Sequence, residues 1–206
     1  MIDVEAQATD LDDRVRECLA TSDTTRAATI ALRALGPEVF GFLVGVVGPV
    51  DGEEVFSAFC ERLWRSLSNF RGRCSVRTWA YVIARHEISR HRRGARRHQR
   101  GRVPISELEE ILAVARSTHS SEAFTSRKKS ALVHLREELP VEDRVLLVLR
   151  VDRKLAWNDI ALAFAETPES LAPEDLRRES ARLRKRFQLV RDRLVARVRG
   201  AVTEKD

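Results

Sequence analysis

Three stretches of the chain combine residue types that suit a polyanionic partner. Between Asn69 and Arg93 aromatic and basic side chains alternate: Phe70, Trp79 and Tyr81 can pack or stack on unpaired bases, while Arg71, Arg73, Arg77 and Arg85 can neutralise phosphates. Proteins that hold single strands use this combination. Trp79 shares an apolar stripe with Val76, Ala80 and Ile83 and reads first as a core residue, whereas Tyr81 lies on a different face and is more open to a functional role. A basic run follows, with Arg90, Arg92, Arg93, Arg96, Arg97, Arg100 and Arg102 and no acid after Glu87. Each phosphate that such a run neutralises releases counterions, which predicts salt-sensitive affinity without sequence preference; the plainer reading is a solvated charge run at a domain edge. In the third stretch, near the C-terminus, Leu183, Phe187, Val190 and Leu194 recur at helical spacing, and Arg182, Arg184, Lys185, Arg186, Arg191 and Arg193 occupy the other faces. Arginine reads guanine in a major groove, and a recognition helix does so with its N-terminal turns. A basic amphipathic helix can also lie on a membrane or bind a protein, but the helices in front of this one favour a helix-turn-helix variant.

Catalytic chemistry finds no constellation. His86, His91, His98, His119 and His134 form no metal-ligand motif, the adjacent Glu109 and Glu110 would point to different parts of a helix, and no glycine loop cradles a phosphate. No catalytic residue, metal or cofactor is expected, and the chain does not read as an enzyme. Cys18, Cys60 and Cys74 are widely separated, form no CxxC pair and read as inert thiols. Lys and Arg number 37 against 31 Asp and Glu, and the pI is near 9.8, a balance that suits nucleic acid or an anionic surface. No run approaches the roughly 18 uninterrupted apolar residues of a membrane span, and no secretion signal opens the chain, so a soluble cytoplasmic protein without membrane insertion is expected.

The elements that must position these residues are helical. Apolar residues recur at helical spacing while strand-like alternation is nearly absent, which predicts an all-α fold. Residues 1–10 read as frayed, followed by helices over Leu11 to Ala20 and Thr24 to Leu35, a break at Gly36 and Pro37, and an apolar segment from Val39 to Val47 that must pack against neighbours. Asp51 with Glu54 three residues on resembles a capping box and predicts a helix to about Leu67, with Val55, Phe56, Phe59, Leu63, Trp64 and Leu67 building core. Ser75 can cap the next helix, which runs to about Arg93 before Gly94. Apolar content then drops, apart from a short patch over Leu108 to Val114, and resumes with Ala131 to Leu139, a Pro140 break, Glu142 to Val151, Ala156 to Ala165 and a long last helix ending near Val198. The division predicted is a helical domain over 1–94, a linker over 95–125 and a smaller helical domain over 126–206.

The stretch DGEEVFSAFCERLWRSLSNFRGRCSVRTWAYVIARHEISRHRR resembles region 2 of the extracytoplasmic-function sigma factors, most specifically in FRGRCSVRTWAYVIAR. LREELPVEDRVLLVLRVDRKLAWNDIALAFA is similar to the start of region 4 in that family. The resemblance implies a region 2 helical bundle and a region 4 helix-turn-helix joined by a linker. It implies recognition and melting of the promoter −10 element by Asn69, Phe70, Arg71, Gly72, Arg73, Ser75, Arg77, Thr78, Trp79, Tyr81 and Arg85. Reading of the −35 element would fall to Arg182, Arg184, Lys185, Arg186 and Arg191. Glu53, Glu54, Ser57, Ala58, Glu61, Arg62 and Arg65 would grip core RNA polymerase, although the family usually has a Gln-Glu pair at Ser57 and Ala58. Family members commonly have Asn where His86 stands, and a short turn where this chain has Glu166 to Ser180 with Pro168 and Pro173. The implied partners are core RNA polymerase and promoter DNA, with an anti-sigma factor as a further class. The alternative is a regulator that binds duplex DNA through its C-terminal helices without polymerase, which leaves the FRG-to-IAR stretch unexplained.

Overall fold

The computed structural model describes residues 4–94, 138–166 and 171–203, and every regular element among them is helical. Helix α1 (Val4–Ala20) begins earlier than expected; Glu5, Ala6, Gln7 and Ala8 are all strong helix formers and extend it. After a tight turn, Asp23 starts α2 (Thr24–Val47) by accepting a hydrogen bond from the Arg26 amide at 2.9 Å.

The break predicted at Gly36 and Pro37 does not occur, and α2 is one helix with Pro37 inside it. An internal proline forfeits a backbone hydrogen bond and costs about 3 kcal/mol. Leu32, Val39, Phe42, Leu43 and Val46 are nearly or fully buried along the same helix, and burial of each such side chain returns roughly 1.5–3 kcal/mol. Packing therefore overrides the local breaker. By length and composition α2 could cross a membrane, yet 56% of its most apolar window is buried inside the fold, as suits a core helix.

Helix α3 (Pro49–Ser66) starts two residues before Asp51, with Gly48 at the N-cap and Pro49 in the first turn. The proline that seemed to end one helix instead begins the next, since its fixed φ suits the first helical position and its missing N–H is not needed there. Asp51 is thus not a cap; its Oδ2 lies 3.4 Å from His91 Nε2. The α2–α3 approach is close enough that a Cβ on Gly52 would lie 2.9 Å from Val44 Cγ2. Val55, Phe56, Phe59, Leu63 and Leu67 form the buried face that their spacing predicts, with Phe56 edge-on to Phe40 at 5.3 Å.

A 3-10 turn (Leu67–Asn69) and a loop lead into α4 (Val76–Arg92). Ser75 caps α4 as expected, its Oγ accepting from the Thr78 amide at 3.0 Å. A second free donor at that helix start, the Val76 amide, is satisfied from α1 by Asp12 Oδ1 at 2.8 Å.

The second group of helices comprises α5 (Val141–Leu147), which continues as a π-helical turn (Val148–Asp152), then α6 (Trp157–Phe164) and α7 (Pro173–Thr203). The long connector expected over Glu166 to Ser180 is shorter, because α7 already begins at Pro173 with Glu174 and Asp175 in its first turn, where the helix dipole favours acids. Ser180 Oγ lies 2.9 Å from Asn158 Oδ1, tying this early part of α7 to α6. Leu183 and Val190 are buried and Phe187 and Leu194 partly so, giving α7 its inner stripe. One apolar cluster joins Leu32, Phe42 and Tyr81 to Leu146, Leu149 and Ile160, so the two groups of helices share a core. The expected linker over 95–125, its Leu108 to Val114 patch and nearly all of the Ala131 to Leu139 helix lie outside the described residues.

Candidate nucleic-acid interface

The loop between Leu67 and Ser75 turns at Gly72, whose φ of 69° is in the region that side chains disfavour. Asn69, Arg71, Gly72 and Arg73 are exposed along it. Arg71 has no hydrogen-bond or ion-pair partner among the described residues. Behind the loop Phe70 and Trp79 are half-buried against the core, their ring centroids 5.8 Å apart. The loop therefore offers cations and a polar amide outward, with aromatic edges at its base.

The structure places Tyr81, which the sequence left open to a functional role, inside the core. Tyr81 is fully buried, meets Phe42 edge-on at 5.2 Å and donates its hydroxyl to Glu38 Oε1 at 2.7 Å. Burial, with the adjacent Glu38 carboxylate, drives the phenol far above its ordinary range. Burial alone would raise Glu38 as well, but hydrogen bonds from Arg77 and Tyr81 hold its carboxyl below the usual glutamate value. Sequence reasoning missed Glu38. Its signal was that it is the sole charged residue between Arg33 and Asp51, and a charge in so apolar a stretch requires a partner.

Other α4 residues expected to face DNA are engaged within the chain. Arg77 binds Glu38 through Nε and Nη2, and its Nη2 also donates to the Arg153 carbonyl at 2.9 Å. Thr78 is buried and its hydroxyl donates to Asp159 Oδ1 of α6 at 3.0 Å. Arg85 donates to Glu142 Oε2 at 3.1 Å while its guanidinium lies 4.6 Å from the centre of the Phe164 ring. The structure thus separates the expected set into an exposed loop, Asn69 to Arg73, and helix residues covered by α2, α5 and α6. Trp79 stands between them, its Nε1 buried without a hydrogen-bond partner among the described residues.

Near the C-terminal half of α4 a cleft of about 730 Å³ is lined by Arg62, Arg85, His86, Arg90, Arg93 and Glu166, among others. Burial lowers the His86 pKa, and nearby Arg85 and Arg62 push the same way against a hydrogen bond with the Ala165 backbone. Burial also raises the Glu87 carboxyl, although Arg90 stands 3.6 Å from its Oε1. Arg92 and Arg93 are exposed, and the rest of the basic run, Arg96 to Arg102, lies outside the described residues. On α3, Glu53, Arg62 and Arg65 are exposed and Glu54, Ser57, Ala58 and Glu61 half-exposed, so the expected polymerase-gripping set shares the face opposite the core.

On α7, Arg182, Arg184, Lys185 and Arg191 are exposed. Arg182 pairs along the helix with Glu179, and Arg184 rests over the Trp157 ring at 5.5 Å. Arg186 is engaged within the chain: its Nε donates to the buried carboxylate of Asp143 at 2.6 Å, which fastens α7 to α5. Cys18 and Cys60 are buried and Cys74 half-buried, and burial raises the Cys60 thiol well above its ordinary value. Among the described residues, no group of three or more His, Cys, Asp or Glu gathers to hold a metal ion.

No curated protein matches the chain. Residues 31–98, from within α2 past the end of α4, match the family described as Sigma-70 region 2, and a domain of that kind supports a sigma-70 family factor with a role in transcription initiation.

Proposed function

We propose that the chain is a sigma factor of the extracytoplasmic-function type, which joins core RNA polymerase in the cytoplasm and directs it to particular promoters. The exposed loop Asn69 to Arg73, seated on Phe70 and Trp79 within the sigma-70 region 2 match, is the observation that carries this reading. Unstacked −10 bases would enter at that loop, where Arg71 meets phosphate and the aromatic base of the loop offers stacking. Extruding a base costs a few kcal/mol, which stacking of about 1–3 kcal/mol per base together with phosphate contacts can offset. The outward face of α3 would grip polymerase, and Arg182, Arg184, Lys185 and Arg191 of α7 would approach the −35 element.

Reconstitution with bacterial core RNA polymerase and run-off transcription across genomic promoter fragments tests the proposal. Specific transcripts that depend on the protein are expected. Failure to bind core polymerase, beside an active positive control, would overturn it in favour of a regulator acting without polymerase.

A further inference from the structure

The cleft beside the C-terminal half of α4 is lined from α3, α4 and the residue group just past α6, and no residue of the loop Asn69 to Arg73 lines it. We propose that this cleft binds a ribonucleoside di- or triphosphate, with arginines on the phosphates and acceptor groups on the ribose. The site goes beyond the promoter reading and does not depend on it.

The cations come from two elements. Arg85, Ser89 and Arg92 recur along one strip of α4, and His86, Arg90 and Arg93 along the neighbouring strip, so two rows of side chains line the cleft together. Arg62 joins them from α3, close enough to act electrostatically on both His86 and Glu87. Arg85 and Arg90 already pair with the carboxylates of Glu142 and Glu87. Arg62 and Arg92 have no hydrogen-bond or ion-pair partner among the described residues, and Arg93 gives its Nε to the Ser89 carbonyl at 3.1 Å. All three of these are exposed and keep guanidinium donors to spare. The planar fork of each matches a pair of phosphate oxygens.

Acceptors in the same lining narrow the ligand class. Glu87 is only 7% exposed, and its Oε1 is buried with no hydrogen-bond partner among the described residues. Arg90 Nη1, at 3.6 Å, stays outside hydrogen-bond reach. A buried acceptor without a donor is costly, and a ligand that brings one removes the cost. His86 spends one ring nitrogen on the Ala165 backbone; because burial favours its neutral form, the other nitrogen is an acceptor. The exposed Glu166 adds a carboxylate to the lining. An inorganic anion would leave these acceptors unfilled and would be repelled by Glu166. A nucleotide brings phosphates for the arginines and ribose hydroxyls as donors, which acidic side chains commonly bind. The volume of about 730 Å³ also suits a ligand of that size.

Isothermal titration calorimetry on the full chain with ADP, GDP, 2′-deoxy-ADP and inorganic pyrophosphate tests the assignment. ADP and GDP should bind, and 2′-deoxy-ADP and pyrophosphate should bind roughly tenfold more weakly, since each lacks ribose donors. Arg92→Ala combined with Arg93→Ala, at two exposed positions, should weaken ADP and pyrophosphate alike by about tenfold or more. Glu87→Leu, checked for helicity by circular dichroism, should bring ADP down towards pyrophosphate while pyrophosphate itself binds no more weakly. The ligand series on the unaltered protein keeps the proposal falsifiable if that variant does not fold. No binding of ADP or GDP at millimolar concentration would overturn it, as would ADP binding that the arginine replacements leave unchanged. Equal affinity for ADP and pyrophosphate would overturn it too, reducing the cleft to a general phosphate contact. Binding of single-stranded DNA that the arginine replacements abolish, beside no binding of ADP, would assign the cleft to the DNA backbone and overturn the nucleotide site.

Discussion

Tyr81 and Glu38 share a buried hydrogen bond of 2.7 Å, and Arg77 joins the same carboxylate from the next turn of α4. The side chain that looked most available for base stacking is therefore part of the clamp between α2 and α4. Tyr81→Phe leaves Glu38 bound by Arg77 alone and should cost about 1–2 kcal/mol in urea unfolding. Once corrected for the folded fraction, single-strand binding should be unchanged. Arg71→Ala should do the reverse, holding stability while impairing opening, read as reduced permanganate reactivity of −10 thymines in the polymerase complex.

The arginines of α7 divide in the same way. Arg186→Ala strands the carboxylate of Asp143, which is only 7% exposed, and should lower stability by about 1–3 kcal/mol. Lys185 is exposed on the same helix turn. Lys185→Ala should leave the unfolding midpoint in place, while reducing the slope of −35-dependent binding against log salt by about one. Equal unfolding midpoints for the two variants would contradict this division.

His86 gives the fold a pH dependence of definite sign. Its pKa in the folded chain is lowered from the ordinary 6.5 by burial, reinforced by Arg85 and Arg62. The unfolded chain therefore takes up the proton first as pH falls. The His86 contribution is complete above pH 6.5 and is lost as pH drops from there through the lowered folded value. Thermal midpoints should accordingly fall between pH 7.5 and 5.5, and His86→Gln should flatten that part of the profile. An unchanged profile in the variant would assign the slope to another group.

Much of the fold was legible because one signal dominated it. Val55, Phe56, Phe59, Leu63 and Leu67 announced the inner face of α3, and Leu183, Phe187, Val190 and Leu194 that of α7, since helical spacing alone decides which side meets the core. Ser75 was legible because capping is a local event. Pro37, Pro49 and Pro173 were misread for a common reason: whether a proline ends, begins or sits within a helix depends on the packing around it. Of the candidate site, the exposed arginines of the loop and of α7 were visible as charge. The partners of Tyr81, Thr78, Arg85 and Arg186 were not, because Glu38, Asp159, Glu142 and Asp143 lie 43 or more positions away in sequence.

The Asp12 carboxylate that meets the Val76 amide has a practical reach beyond α1. Residues 31–98 carry the family likeness, yet a protein trimmed to that span would lose this carboxylate, and with it Leu11, Val15 and Cys18 from the packed interior. The helix that follows the candidate loop would then start with an orphaned donor and an uncovered flank. Fragments meant to test the proposed promoter opening should therefore retain the first helix.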